Sequence, residues 1–253
     1  MKASDKVLSV LQLFSSERPE WTVDAAAGEL GLAQSTAYEY FRTLTRSGLI
    51  ASTRVGRYVL GPAVIELDRI ARRSDPVLVE GGAVLESMVQ KQPVPVVGLL
   101  CRLYRMKVMC VDQRASKDAN FAISYERGRL MPLFRGAASK VILANIERRR
   151  MRRFFEENAA DIAANSLGGS WQEFRLTLRR IRSHEVYVTR GELDPGRVGL
   201  SIPLLTAAGE SFGSVSLVAA EQDYDRSEKI RAELFARLSH AASTLSARIA
   251  SHY

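Results

Sequence analysis

The sequence predicts an α+β fold in two domains, and three observations carry that prediction. Its 253 residues exceed one ordinary domain of about 100–200 residues and leave chain for two cores. Hydrophobic residues at 46% and charged residues at 25% match a globular protein and set aside a disordered chain or a disulfide scaffold. Hydrophobic spacing is helical with one small hairpin in the first part, and beyond residue 96 it runs strands, helices, then strands again. That second run describes a sheet, read as antiparallel, with helices on at least one face.

Along the chain, Val7, Leu11 and Phe14 fall at i, i+4, i+7, with Leu8 and Val10 widening the stripe, so residues 1–14 predict an amphipathic helix. Pro19 marks a loop over 15–21. Thr22 suits the N-cap of a short helix over 23–30, and Gly31 suits its left-handed stop. A tight turn over 31–34 leads to a third helix with Ser35 as N-cap, burying Ala37, Leu44 and either Tyr40 or Phe41. Residues 49–53 and 57–60 flank Arg54-Val55-Gly56 as a hairpin. From Pro62 to Arg73, Val64, Leu67 and Ile70 or Ala71 repeat at helical spacing in a linker helix that Pro76 closes.

Beyond it the pattern predicts a helix over 78–91, a break at Pro93 and Pro95, and strands over 96–103, 107–113 and 121–126. Helices over 137–146, 147–157 and 171–184 come next, the last with Trp171, Phe174, Leu178 and Ile181 as core. Strands over 198–206 and 211–219 flank the turn Ala207-Ala208-Gly209-Glu210. A final helix over 225–249 sets Ile230, Leu234, Leu238, Leu245 and Ile249 on one face, a cover for the sheet.

Thirty-six Lys and Arg against 28 Asp and Glu leave a net +8, which favours a polyanionic partner. Residues 1–75 hold 10 basic and 9 acidic side chains, so most of the excess lies in the second half. In the first half the positive charge is local. Helix, short helix, tight turn, helix and hairpin is the order of a winged helix-turn-helix, whose third helix fits the major groove. With its apolar stripe packed, that helix turns Gln34, Ser35, Thr36, Tyr38, Glu39, Arg42 and Arg46 outward, types that reach base edges or phosphates. Arg54 and Arg57 sit at the hairpin tip, where a wing meets the phosphate backbone. Residues 34–58 thus carry four Arg against one acid, and double-stranded DNA is the expected partner.

Leu32-Ala33-Gln34-Ser35-Thr36-Ala37-Tyr38, Arg42-Thr43-Leu44, Gly48-Leu49-Ile50 and Gly56-Arg57-Tyr58-Val59-Leu60-Gly61 together resemble the DNA-binding domain of the IclR-type transcriptional regulators. Pro132-Leu133, Ala137-Ala138-Ser139-Lys140, Leu143-Ala144, Arg190-Gly191-Glu192, Pro195-Gly196 and Ser201-Ile202-Pro203 extend the resemblance over nearly the whole chain. It implies a cytoplasmic bacterial repressor or activator that works as a homodimer or homotetramer. Residues 1–62 would be the winged helix, 63–76 the linker helix, and 77–253 a GAF-like antiparallel-sheet domain for effector binding and oligomerisation. The same resemblance implies a pocket lined by Gly136, Ala137, Ala138, Ser139, Thr189, the stretch from Arg197 to Gly199, and Ser216. Departures from the family pattern are Gln34 and Glu39 in the recognition helix, Phe134-Arg135 for His-Ala, Ser139 for Gly, and His184-Glu185 for a glycine.

Arg135 and Gly136 precede a helix start, so a guanidinium, free N–H groups and the positive dipole end predict an anion site. The expectation is an acidic effector held by Arg135, Ser139 and Arg197, with apolar walls from Val108 and Cys110. The run Arg148-Arg149-Arg150-Met151-Arg152-Arg153 points around a helix, which reads as a solvated or inter-subunit surface. Catalysis has little support: there is no Cys-x-x-Cys, His-Glu-x-x-His, Gly-x-Ser-x-Gly or Walker loop, and the three histidines, His184, His240 and His252, come late. No catalytic residue, metal ligand or cofactor is expected. Cys101 and Cys110 are expected to be reduced thiols. The longest apolar run is far below the roughly 18 residues of a membrane span. A DNA-bound scaffold that senses no metabolite stays open beside the effector-controlled regulator.

Overall fold

The computed structural model describes residues 3–90 and 92–249; Met1 and Lys91, at the ends of two expected helices, and His252 lie outside the described residues. The chain divides into two compact units, Met1–Ser74 and Asp75–Tyr253.

The first unit begins with α1 (Ala3–Leu11), which buries Val10 fully while Leu8 stays 55% exposed, so the apolar stripe is narrower than its spacing suggests. In α2 (Val23–Leu30) the Thr22 hydroxyl accepts from the Ala25 N–H at 3.2 Å, and Gly31 at φ 62° ends the helix. The Leu32 N–H then closes back on the Ala27 carbonyl at 2.9 Å. That closure turns the chain early, so α3 (Gln34–Arg46) starts one residue before the expected cap. Ala33, with no capping side chain, is the N-cap, and Ser35 sits exposed inside the first turn. Ala37, Phe41 and Leu44 form the buried face of α3, and Tyr40 is only half-buried. Strands β1 (Ile50–Arg54) and β2 (Arg57–Leu60) pair antiparallel, and Tyr58 meets Phe41 edge-on at 4.9 Å and bridges to Trp21. Helix α4 (Pro62–Ser74) completes the unit and buries no residue; Ile65, Leu67 and Ile70 are exposed.

In the second unit Asp75 caps α5 (Pro76–Val89) by accepting from the Val77 N–H at 2.9 Å, so Pro76 opens a helix as well as closing one. Strands β3 (Val96–Tyr104) and β4 (Lys107–Ala115) form a hairpin, and the short β5 (Leu130–Met131) adds beside β4. Four helices come after them: α6 (Ala137–Ala144), α7 (Arg148–Glu157), α8 (Ala159–Ala164) and α9 (Trp171–Arg182). Then come β6 (Tyr187–Arg190), β7 (Arg197–Leu205), β8 (Ser211–Ala220), the single turn α10 (Glu221–Tyr224) and α11 (Glu228–Ile249). The sheet order is β5-β4-β3-β8-β7-β6, and every neighbouring pair is antiparallel.

Period-two alternation sends β3 side chains to two cores. Val97, Leu99 and Cys101 join α6, α7 and α9 on one face, while Val96 and Leu100 join α5 and α11 on the other. Helices therefore cover both faces, and α11 lays Leu234, Leu238, Leu245 and Ile249 on the sheet as its spacing predicts. Residues 121–126 form no strand, contrary to expectation. Two Ser124 bonds replace the ladder, its N–H donating to the Asp194 carboxylate at 3.0–3.1 Å and its hydroxyl to the same group, while Tyr125 turns into the core. Cys101 and Cys110 stand opposite each other across β3 and β4, buried and unbridged. Among the described residues no helix is long and apolar enough to cross a membrane, and no cluster of His, Cys, Asp or Glu could hold a metal.

Candidate functional site

The outward face of α3 forms the first site. Gln34, Ser35, Tyr38, Glu39, Arg42 and Arg46 are exposed and Thr36 is half-buried, because Ala37, Phe41 and Leu44 take the opposite face inward. Tyr38, Glu39, Arg42 and Arg46 line one groove together with Thr45 and Tyr58. The last two escaped the sequence reading, although Thr45 lies at i+7 from Tyr38 on the same stripe. Among the described residues Arg42, Arg46 and Arg54 have no ion-pair partner, so their guanidinium forks are open to an anion. Gln34 is partly committed, donating to Asp24 at 3.2 Å. Arg57 pairs with Glu20 at 3.3 Å with both side chains exposed, a contact worth about 0–1 kcal/mol that a phosphate can displace. Arg54 and Arg57 face each other across the turn at the hairpin tip.

The second site is a small cavity of about 40 Å³ between the start of α6 and the sheet. Gly136, Ala137 and Ala138 of the α6 start, Thr189 on β6, Gly199 on β7 and Ser216 on β8 line it, with Leu99, Tyr125 and the 191–197 loop. Arg197, the first residue of β7, also lines it, its guanidinium 4.3 Å above the Phe121 ring. Gly136 holds φ +79°, and a Cβ there would come within 2.6 Å of Leu193, so glycine lets the two loops meet.

Two expected ligands stand outside the lining. The Arg135 guanidinium donates to the Glu192 carbonyl, and Ser139 is wholly buried with its hydroxyl 2.7 Å from the Tyr125 hydroxyl. Val108 and Cys110, the expected walls, lie in the core behind. The anion site at the α6 start is filled from within the chain: one Glu192 oxygen accepts from the Gly136 N–H at 2.9 Å and the other from the buried Lys140 ammonium at 2.6 Å. Glu192 and Asp194, both in the lining, were missed as site residues; only the motif Arg190-Gly191-Glu192 hinted at them. Burial is the main cause that raises the Tyr125 phenol above its ordinary range, with the Cys101 charge second. A hydrogen bond with Cys110, then burial, raises the Cys101 thiol. The wall is thus neutral hydroxyls and carbons with two engaged carboxylates and one guanidinium.

The model of the IclR helix-turn-helix domain matches residues 3–54, and the model of the bacterial transcriptional regulator IclR C-terminal matches residues 97–247. Solved structures of similar fold include an IclR transcriptional regulator from Alicyclobacillus acidocaldarius, at 22% identity and TM-score 0.78, covering 97% of this chain and 98% of that one. Another, from Silicibacter sp. TM1040, has 18% identity and TM-score 0.79, with 98% and 96% covered. An IclR homolog from Microbacterium hydrocarbonoxydans, complexed with 4-hydroxybenzoate, has 16% identity and TM-score 0.76, with 99% and 100% covered. No curated protein matches.

Proposed function

As the chain belongs to the IclR family of bacterial transcriptional regulators, we propose that it reads one operator through α3 and the β1–β2 wing, and that a small acid in the sheet cavity alters that binding. The observation that carries the reading is the α3 groove, where Arg42 and Arg46 have no ion-pair partner among the described residues and share a face with Tyr38, Glu39 and Thr45. In this reading Gln34, Ser35, Thr36 and Tyr38 approach base edges and phosphates, and Glu39 accepts from a cytosine amino group. Arg54 and Arg57 hold the flanking backbone.

For the effector, Arg197 supports an acid: it is the sole cation of the cavity lining and has no carboxylate partner among the described residues. Thr189 and Ser216 add hydroxyls at the wall, and Gly136, Ala137, Ala138 and Gly199 bring the backbone close. Glu192 and Asp194 disfavour a second negative charge, so the effector is a monoacid. Arg135 and Ser139 support the site by fixing Glu192 and Tyr125 rather than touching the ligand. The chain acts as a homodimer or homotetramer, for which the exposed Ile65, Leu67 and Ile70 of α4 offer a contact.

The test is selection of host genomic fragments by purified protein at about 150 mM salt, where non-specific binding is weak, with and without 4-hydroxybenzoate as the first acid probe. Enrichment of one palindromic site, lost in Arg42→Ala, Arg46→Ala, is expected. Equal enrichment by that variant, or none in either condition, would sink the DNA reading. Calorimetry of the acid against Arg197→Ala tests the cavity separately, and unchanged affinity would reject it.

A further inference from the structure

Helix α9 carries two stripes side by side. Phe174, Leu178 and Ile181 are buried, and the adjacent Arg175, Arg179 and Arg182 repeat at the same i, i+4, i+7 spacing on its exposed flank. Across from them Arg148 stands on α7, three residues before the buried Met151. The four arginines line one cleft of about 210 Å³, together with Ile146 and Met151.

Farther along α7 two arginines are neutralised locally: Arg152 pairs with Glu156 at 2.6 Å and Arg153 with Glu157 at 2.7 Å. None of the four cleft arginines has a carboxylate partner among the described residues. Glu147, beside Arg148, makes no ion pair among the described residues, and Glu173 is committed to the Gly169 N–H at 2.8 Å. The Arg182 guanidinium is held below the ordinary arginine range, by burial first and by the Arg179 charge second.

Four guanidinium forks in one cleft match a ligand with several negative oxygens close together. A carboxylate supplies one charge, whereas each phosphate group supplies roughly 1.5–2, so two or three linked phosphates balance the cleft. We propose that the cleft between α7 and α9 is an anion site, separate from the sheet cavity, that binds a small oligophosphate.

The experiment is calorimetric titration of the full chain with sodium tripolyphosphate at about 150 mM salt, a level that screens loose surface attraction, with orthophosphate as comparator. The expected result is one saturable site per chain, at least about tenfold tighter than for orthophosphate and at least about tenfold weaker in Arg179→Ala, Arg182→Ala. Arg42→Ala, Arg46→Ala should bind as the parent does. Both cleft side chains are exposed, so the double variant should fold; Arg148→Gln with Arg175→Gln serves if it does not. No saturable binding, unchanged binding in the cleft variants, or loss in the Arg42, Arg46 variant would overturn the site. Displacement of tripolyphosphate from the Arg42, Arg46 variant by a duplex lacking an operator would overturn the small-molecule assignment.

Discussion

Gly136 shows how much one residue decides at the cavity. Its φ of +79° and the 2.6 Å approach that a Cβ would make to Leu193 mean that Gly136→Ala strains the backbone and pushes the 191–197 loop away. We expect a loss of about 1–3 kcal/mol in urea unfolding, together with weaker binding of the acid probe. Tyr125 and Cys101 set a pH dependence. Both groups are held protonated in the folded state by shifts upward. Their contribution is therefore complete below the unfolded-state values and is lost as pH rises past them, each group costing about 1.4 kcal/mol per pH unit. Urea midpoints should fall from about pH 9 upward, and Tyr125→Phe should flatten the part above about pH 10, where an unfolded phenol ionises. An alkaline limb identical in the variant would contradict the assignment.

Among elements, the long amphipathic helices were legible because burial of a stripe decides them locally. Leu238 of α11 is wholly buried against the sheet, so Leu238→Ala should cost about 2–5 kcal/mol in urea unfolding. Short or irregular pieces were not legible. Residues 121–126 have strand composition, yet Asp194, 70 residues away from Ser124, takes their hydrogen bonds. The two-residue β5 is too short to leave a periodic signal, and α8 and α10 span barely a turn or two. Ser35 was a sound cap by type, but closure of Leu32 on Ala27 moved the helix start.

For the whole molecule, control by an effector requires that the acid bind the DNA-competent and incompetent states differently, since equal affinity shifts nothing. Helix α4 leads from the hairpin to the second unit in the chain order. Inserting one alanine in it would rotate the helix residues after the insertion by about 100° and advance them by about 1.5 Å. Operator affinity, read by fluorescence anisotropy, should fall at least about tenfold if operator half-sites must match a fixed spacing, while calorimetric affinity for the acid stays unchanged. Unaltered operator binding would count against α4 as the connection.

By itself the sequence determined the two-part α+β architecture, the outward face of α3 and the family, because each is written in local periodicity, cap chemistry and short motifs. Of the expected effector residues, Gly136, Ala137, Ala138, Thr189, Arg197, Gly199 and Ser216 line the cavity. Only the tertiary structure decided that Glu192 fills the helix-start anion site, that Arg135 turns away to its carbonyl, and that four arginines from α7 and α9 share one cleft. Such facts depend on which distant side chain arrives first at a charged or hydrogen-bonding group. That competition is settled by packing across tens of residues, and no local pattern records its outcome.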